Sequence, residues 1–226
     1  MYLLAIDTSA NASAALLDAT NAHDVRVVDS FTSTFSNDHS EVLAPAVEGL
    51  LKNAGIEGAG LAGIVVGVGP GPFTGLRVGL ATARTLGFVW NIPVHGVMSL
   101  DAIALEAVAG APETEFVVAI DARRKELYWA RYTSTGQLLE GPHVTVAEEI
   151  PALPVYGAGA GLYAERLRAV GASVVEGFED LHPNAVAIGT RAARQLAAGE
   201  QPLTTAPLYL RESDAKVPAV MKGKLL

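Results

Sequence analysis

The chain has 226 residues, 50% of them hydrophobic and 18% charged, enough apolar material for one or two globular domains of about 150 residues each. It contains no cysteine, which excludes disulfides, thiolate metal sites and thiol nucleophiles. Sixteen basic side chains against 24 acidic ones give a net charge of −8 and a pI near 5.1, so the molecule as a whole repels a phosphate backbone.

Apolar or alternating runs at Tyr2 to Asp7, Ala12 to Asp18 and Asp24 to Thr32 predict three strands joined as hairpins, an antiparallel meander. A helix is predicted from Asp38 to Asn53, with Val42, Leu43, Ala46, Val47, Leu50 and Leu51 on one stripe, Gly55 as its stop and Pro45 as a kink or a late start. Leu61 to Val68 reads as a buried strand, and as the longest apolar stretch it falls far short of the roughly 20 residues that span a bilayer. With no basic leader before Asp7, a cytoplasmic protein without a membrane segment is expected. Thr74 to Trp90 is predicted helical, Pro93 to Val97 a strand, and Ser99 the cap of a helix through Val108.

Near Gly110 the pattern restarts. Phe116 to Asp121, Glu126 to Tyr132 and Gln137 to Val146 form a second hairpin set, and Ala119-Ile120-Asp121 repeats Ala5-Ile6-Asp7 at the end of an opening strand. A strand near Val155-Tyr156 follows, then a glycine-alternating loop from Gly157 to Gly161, a helix to Val170, a strand at Ser173 to Val175 and a helix from Asn184 to Ala198. The expected organisation is an N-terminal lobe over residues 1–109, a C-terminal lobe over 110–200 and an extended tail over 201–226 that wraps the body.

The glycine-rich segment Gly67-Val68-Gly69-Pro70-Gly71-Pro72-Phe73-Thr74-Gly75-Leu76-Arg77 lies between a strand and a helix, where phosphates are often cradled. It has Leu76 where a Walker motif needs lysine, and Pro70 and Pro72 remove two backbone donors. A tight turn with Thr74 capping the helix is the preferred reading. In that helix Gly75, Gly79, Ala83 and Gly87 fall four apart and form a strip without bulk, flanked by Leu76, Leu80, Leu86 and Trp90. Val78, Ala81, Thr82, Phe88 and Val89 cover the opposite side, and Arg77 and Arg84 are the only charges. A helix apolar all round needs two covers, and spacing alone leaves open whether the second is a neighbouring helix or another subunit.

Asp7-Thr8-Ser9 suits either a strand-end turn or a residual nucleotide site, formed by Asp7 and Thr8 with Gly157 and Gly159 and with Asp121 as the counterpart of Asp7. No two histidines stand three or four apart on a helix, and no serine elbow occurs. Arg123-Arg124-Lys125 and the tail lysines Lys216, Lys222 and Lys224 read as solvated charges.

Five blocks carry a resemblance: Ala5-Ile6-Asp7-Thr8-Ser9; His39-Ser40-Glu41 with Pro45; the run from Val66 to Gly79; Ala119 to Arg123; and Pro207, Tyr209, Leu210 and Arg211 through Asp214-Ala215. Together they resemble the TsaB (YeaZ) family across the chain, with Pro72 standing where that family usually has serine. The resemblance implies a two-lobed actin-like α/β fold of the sugar-kinase type. It also implies a non-catalytic, cofactor-free subunit that pairs with a TsaD-like transferase in forming N6-threonylcarbamoyladenosine at adenosine 37 of tRNAs reading codons that begin with A. A TsaE-like ATPase joins such complexes, the chain alone forms a homodimer, and tRNA is met only indirectly. The implied interface is the first two helices, at Leu43, Val47, Leu50, Gly75, Leu76, Gly79, Leu80, Ala83 and Gly87; on this reading a bulky residue at Gly79 abolishes pairing and leaves the fold intact. Two other readings are an ATP-dependent small-molecule kinase of the same fold and a peptidase, for which no nucleophile stands out.

Overall fold

A computed structural model describes residues 1–22, 24–34 and 39–211. Tyr2–Asp7 (β1), Ser13–Asp18 (β2) and Arg26–Thr32 (β3) form the expected antiparallel meander. His39–Ala54 (α1) continues through Pro45 rather than starting late at it, while the expected start at Asp38 lies outside the described residues. It ends where Gly55 takes φ +65°, and the amides of Gly55 and Ile56 donate back to the carbonyls of Lys52 (3.1 Å) and Leu51 (3.0 Å). Gly63–Gly67 (β4) and Val94–Val97 (β5) extend the sheet in parallel beyond β1, with Phe73–Trp90 (α2) crossing between them, giving the order β3-β2-β1-β4-β5.

After Ser99–Ala109 (α3), the strands Phe116–Asp121 (β6), Glu126–Tyr132 (β7), Leu138–Val146 (β8), Pro154–Tyr156 (β9) and Ser173–Val174 (β10) build a second sheet in the order β10-β9-β6-β7-β8. Taken from its other edge, this sheet repeats the first: two antiparallel strands on one side of a central strand and two parallel strands on the other. The repeated Ala-Ile-Asp ends the two central strands, β1 and β6. The glycine-alternating segment is helical rather than a loop, as Ala158–Leu162 (α4), followed by Ala164–Ala169 (α5). Small residues permit this, because Gly157 and Gly159 sit against the Ala119 backbone of β6, where a β-carbon would collide.

The first sheet buries one face under α1 and α2, through Leu43, Val47, Leu50, Leu76 and Leu80. Its other face is covered by Ala185–Ala197 (α6), through Ala185, Ile188 and Ala192. That helix follows the second sheet in the chain yet does not pack on it. Conversely, α3 follows the first sheet and sets Leu100, Ile103 and Ala107 against Phe116, Val118 and Tyr132 of the second. The two lobes thus exchange helices, and α3 and α6 meet between the sheets. Asn184 caps α6 by accepting from the Ala187 amide (2.9 Å) and donates to Glu106 of α3 (2.6 Å); Tyr132 donates to Asp101 of α3 (2.9 Å). Among the described residues no helix is long and apolar enough to cross a membrane.

Residues 201–211 lie against the body without a helix or a sheet strand; the tail's lysines and the Asp214-Ala215 block lie outside the described residues. Leu203 and Gly96 exchange backbone hydrogen bonds (2.8 and 3.0 Å), and the Leu208 amide donates to Val68 O (2.8 Å). Arg84 donates to Thr205 and Arg77 to the Tyr209 hydroxyl, while the Tyr209 ring stacks on Phe73 at 4.1 Å. Both charges of α2 are therefore engaged by the tail. Tyr209→Ala removes the stack and the acceptor for Arg77, an expected loss of about 1–2 kcal/mol, read in calorimetry as a melting temperature about 4 °C lower.

Candidate functional site

Two surfaces are built by this arrangement: a cleft between the lobes and the outward face of α1 and α2. The cleft encloses about 840 Å³. From the first lobe it takes Thr8, Ser9, His39 and the start of α2 at Thr74 and Gly75; from the second it takes Asp121, Arg123, Gly161 and His182. Asp7 lies beneath its floor, fully buried. One carboxylate oxygen accepts from the amide (2.9 Å) and hydroxyl (2.7 Å) of Ser9, and the other accepts from the Ser99 hydroxyl (2.8 Å). Ser99 in turn accepts from the Gly69 amide (3.2 Å). Burial raises the Asp7 pKa above the ordinary carboxylate range, against the opposing pull of the Ser9 and Ser99 hydrogen bonds and of nearby His39.

Asp7 therefore organises the glycine loop from below rather than facing a ligand. Ser99, expected to cap α3, instead turns to this carboxylate, and Met98 takes the cap position. Thr74 likewise caps nothing, since α2 begins at Phe73 after Pro72, whose fixed φ suits a helix entry. Thr8 donates to Gly75 O (2.8 Å). Of the residues expected at a nucleotide site, Thr8 borders the cleft, whereas Asp7, Gly157 and Gly159 are sealed away behind it. Asp121 does face the cleft, held by the Arg123 amide (2.9 Å) and guanidinium (3.3 Å). Among the described residues no cluster of three histidines or carboxylates could hold a metal.

The glycine strip is covered by its own chain. A β-carbon at Gly75 would strike the Thr8 carbonyl, one at Gly79 the Thr8 hydroxyl, and one at Gly87 the Val94 side chain. The strip brings α2 against the ends of β1 and β5. Leu43, Val47, Leu50, Leu76, Leu80 and Ala83 are all at most 4% exposed in the same core, so of the nine residues expected at the interface most are taken up by the chain's own core, while Val47 also lines the groove between the two helices and Gly75 the cleft. What α2 shows outward is the opposite stripe, legible in the sequence as its second apolar side: Phe88 is 87% and Val89 66% exposed. Elsewhere on the same helix pair an apolar groove of about 400 Å³ lies between α1 and α2, lined by Ala44, Val47 and Leu51 of α1 and Leu86 and Trp90 of α2, with Glu48 and Lys52.

Residues 33–167, more than half of the chain, match the family model described as TsaD: tRNA N6-adenosine threonylcarbamoyltransferase. The crystal structure of YeaZ from Pseudomonas aeruginosa superposes with a TM-score of 0.76 at 31% identity, covering 92% of this chain and 99% of that one. The chain belongs to the TsaB (YeaZ) family. The fold is the two-lobed actin-like fold of that family, with the twin sheets and exchanged helices described above. An uncharacterized protein of Mycobacterium tuberculosis (strain ATCC 25618 / H37Rv) is 39% identical over 223 residues, covering 96% of this chain and 95% of the relative. The tRNA threonylcarbamoyladenosine biosynthesis protein TsaB of Escherichia coli (strain K12) is 34% identical over 135 residues, 58% of this chain and 55% of that one.

Proposed function

We propose that this TsaB-family chain takes part in tRNA threonylcarbamoyladenosine biosynthesis as a non-catalytic subunit. It pairs with a TsaD-like transferase through the outward face of α1 and α2, pairs with itself when alone, and joins a complex completed by a TsaE-like ATPase. The observation that carries the reading is the apolar exposure on α2, at Phe88 and Val89, together with the separate groove between α1 and α2 that Leu86 and Trp90 line. A large exposed aromatic and an apolar groove with charged residues in its lining, on one helix pair, are the makeup of a partner-binding surface. The engagement of both Asp7 oxygens by serines beneath the cleft floor favours this over the small-molecule kinase reading, in which that carboxylate faces the metal-bound phosphates.

Phe88→Glu tests it. The side chain stands clear of the core, so the melting temperature is expected to stay within about 1 °C, while affinity for the TsaD-like subunit in titration calorimetry drops by roughly 30-fold or more, as for an aromatic hot spot. Unchanged affinity in Phe88→Glu and in the double change with Val89→Glu would remove this face from the interface.

A further inference from the structure

The turn between β6 and β7 consists of Arg123, Arg124 and Lys125, all exposed, with φ of +62°, +55° and +65°. It is closed by hydrogen bonds from the Ala122 amide to Glu126 O (2.9 Å) and from the Glu126 amide to Arg123 O (3.0 Å). Glycine, asparagine and aspartate adopt the left-handed region readily, and long side chains do so at a steric disadvantage. Of the three cations in succession there, Arg123 pairs with Asp121 at 3.3 Å. Successive residues in a helical conformation project about 100° apart, so the turn spreads its charges outward.

Two further guanidinium groups adjoin it. Arg166 of α5 donates to Lys125 O (3.2 Å) beside Glu148, and Arg211 of the tail donates to Ala122 O (2.8 Å) beside Glu126. Their guanidinium carbons lie 5.4 Å from the Tyr163 ring and 5.9 Å from the Tyr128 ring, respectively. Five cations are thus gathered against the three carboxylates Asp121, Glu126 and Glu148, on a chain whose net charge is −8. Arg123 reaches from this cluster into the cleft between the lobes.

We infer that this turn contacts the phosphate backbone of the RNA, so that the chain touches tRNA directly rather than only through its partner. The inference rests on the function proposed above. A turn made only of long cations suits phosphates, which are met one at a time by outstretched charges, better than a protein surface, which calls for an apolar centre.

The test pairs Arg124→Asn with Lys125→Gly, residues that accept positive φ and so keep the turn. The complex with the TsaD-like subunit is titrated with an unmodified tRNA carrying adenosine 37, by fluorescence anisotropy, between about 50 and 200 mM salt. Expected for the double variant are unchanged melting and assembly, about tenfold weaker tRNA binding, and a log–log salt slope shallower by about 1.5–2. Intact assembly with unchanged affinity and slope overturns the inference and leaves the scaffold reading standing. Loss of assembly with unchanged tRNA affinity makes the turn a protein contact, which also overturns it. If the unaltered chain does not assemble at all, the scaffold reading fails. The isolated chain at the lowest salt then decides the turn's role: tRNA binding lost in the double variant supports the contact, and absence of binding by the unaltered chain overturns it.

Discussion

Gly79→Leu is expected to lower the melting temperature by about 6–12 °C. The first atom of the new side chain would meet the Thr8 hydroxyl, with Thr8 Cβ and Cγ2 each 3.3 Å away. Thr8 cannot simply rotate aside, because its hydroxyl is committed to Gly75 O at 2.8 Å and the residue is 1% exposed. Replacing glycine within a helix gains up to about 1 kcal/mol in propensity, but overpacking costs typically 1–3 kcal/mol or more. Pushing α2 off β1 also disrupts a buried hydrogen bond worth about 1 kcal/mol. With the overpacking term at its upper end, because Thr8 is pinned and buried, a net loss near 3 kcal/mol, at about 2–4 °C per kcal/mol for a chain of this size, gives the stated range. The residue expected to tune pairing at no structural cost is therefore one on which the first lobe depends. Differential scanning calorimetry decides: a Gly79→Leu protein that melts like the parent would mean that α2 does not rest on β1 as described.

Asp7 is the second position where a single change should be severe. In Asp7→Ala the Ser9 amide, the Ser9 hydroxyl and the Ser99 hydroxyl lose their acceptor inside the core. At about 1–3 kcal/mol for each unsatisfied buried group, partly relieved by repartnering, the loss is expected near 3 kcal/mol. The conservative change Asp7→Asn adds a test with a sign. Burial raises the folded-state pKa, so the folded protein keeps this proton at a pH where the unfolded chain has released it. The stability contributed by the group is full below the unfolded pKa and is lost as pH rises through the folded one. Asparagine does not titrate. The stability advantage of the parent over Asp7→Asn should therefore be largest near pH 4 and shrink toward pH 8, followed as the difference in melting temperature. An advantage that grows with pH would mean that the hydrogen bonds from Ser9 and Ser99 outweigh desolvation and hold Asp7 as a stabilised anion.

The parts of the fold that sequence discloses are those written in short-range periodicity. β1 and β6 are apolar runs ending in Asp7 and Asp121, and each is followed by two further strand-like runs set off by turn residues, so the duplicated sheets are visible in one-dimensional pattern. What periodicity does not carry is the identity of the neighbour. The four-residue spacing from Gly75 to Gly87 states that something lies close to that side of α2, and a strand end from the same chain satisfies it as well as a partner would. Ser99 posed the same ambiguity on a smaller scale: a hydroxyl at a helix start reads as a cap, and only the approach of Asp7, 92 residues earlier, diverts it. The second side of α2, with Phe88 and Val89, was visible as an apolar stripe, but choosing it as the outward one required knowing which side the sheet had taken.

The crossing of α3 and α6 between lobes has a bearing on how the protein is made. As the chain leaves the ribosome, strands β1 to β5 emerge first, yet the helix that covers their second face, through Ala185 to Ala193, follows only after the whole of the second sheet. Until then Leu3, Ala5, Leu17 and Val65 have only the part of their cover that Ala102 and Leu105 of α3 supply, and the first sheet awaits α6. Each lobe's core thus includes a helix that the chain supplies from beyond the other sheet, which couples completion of one lobe to completion of the other.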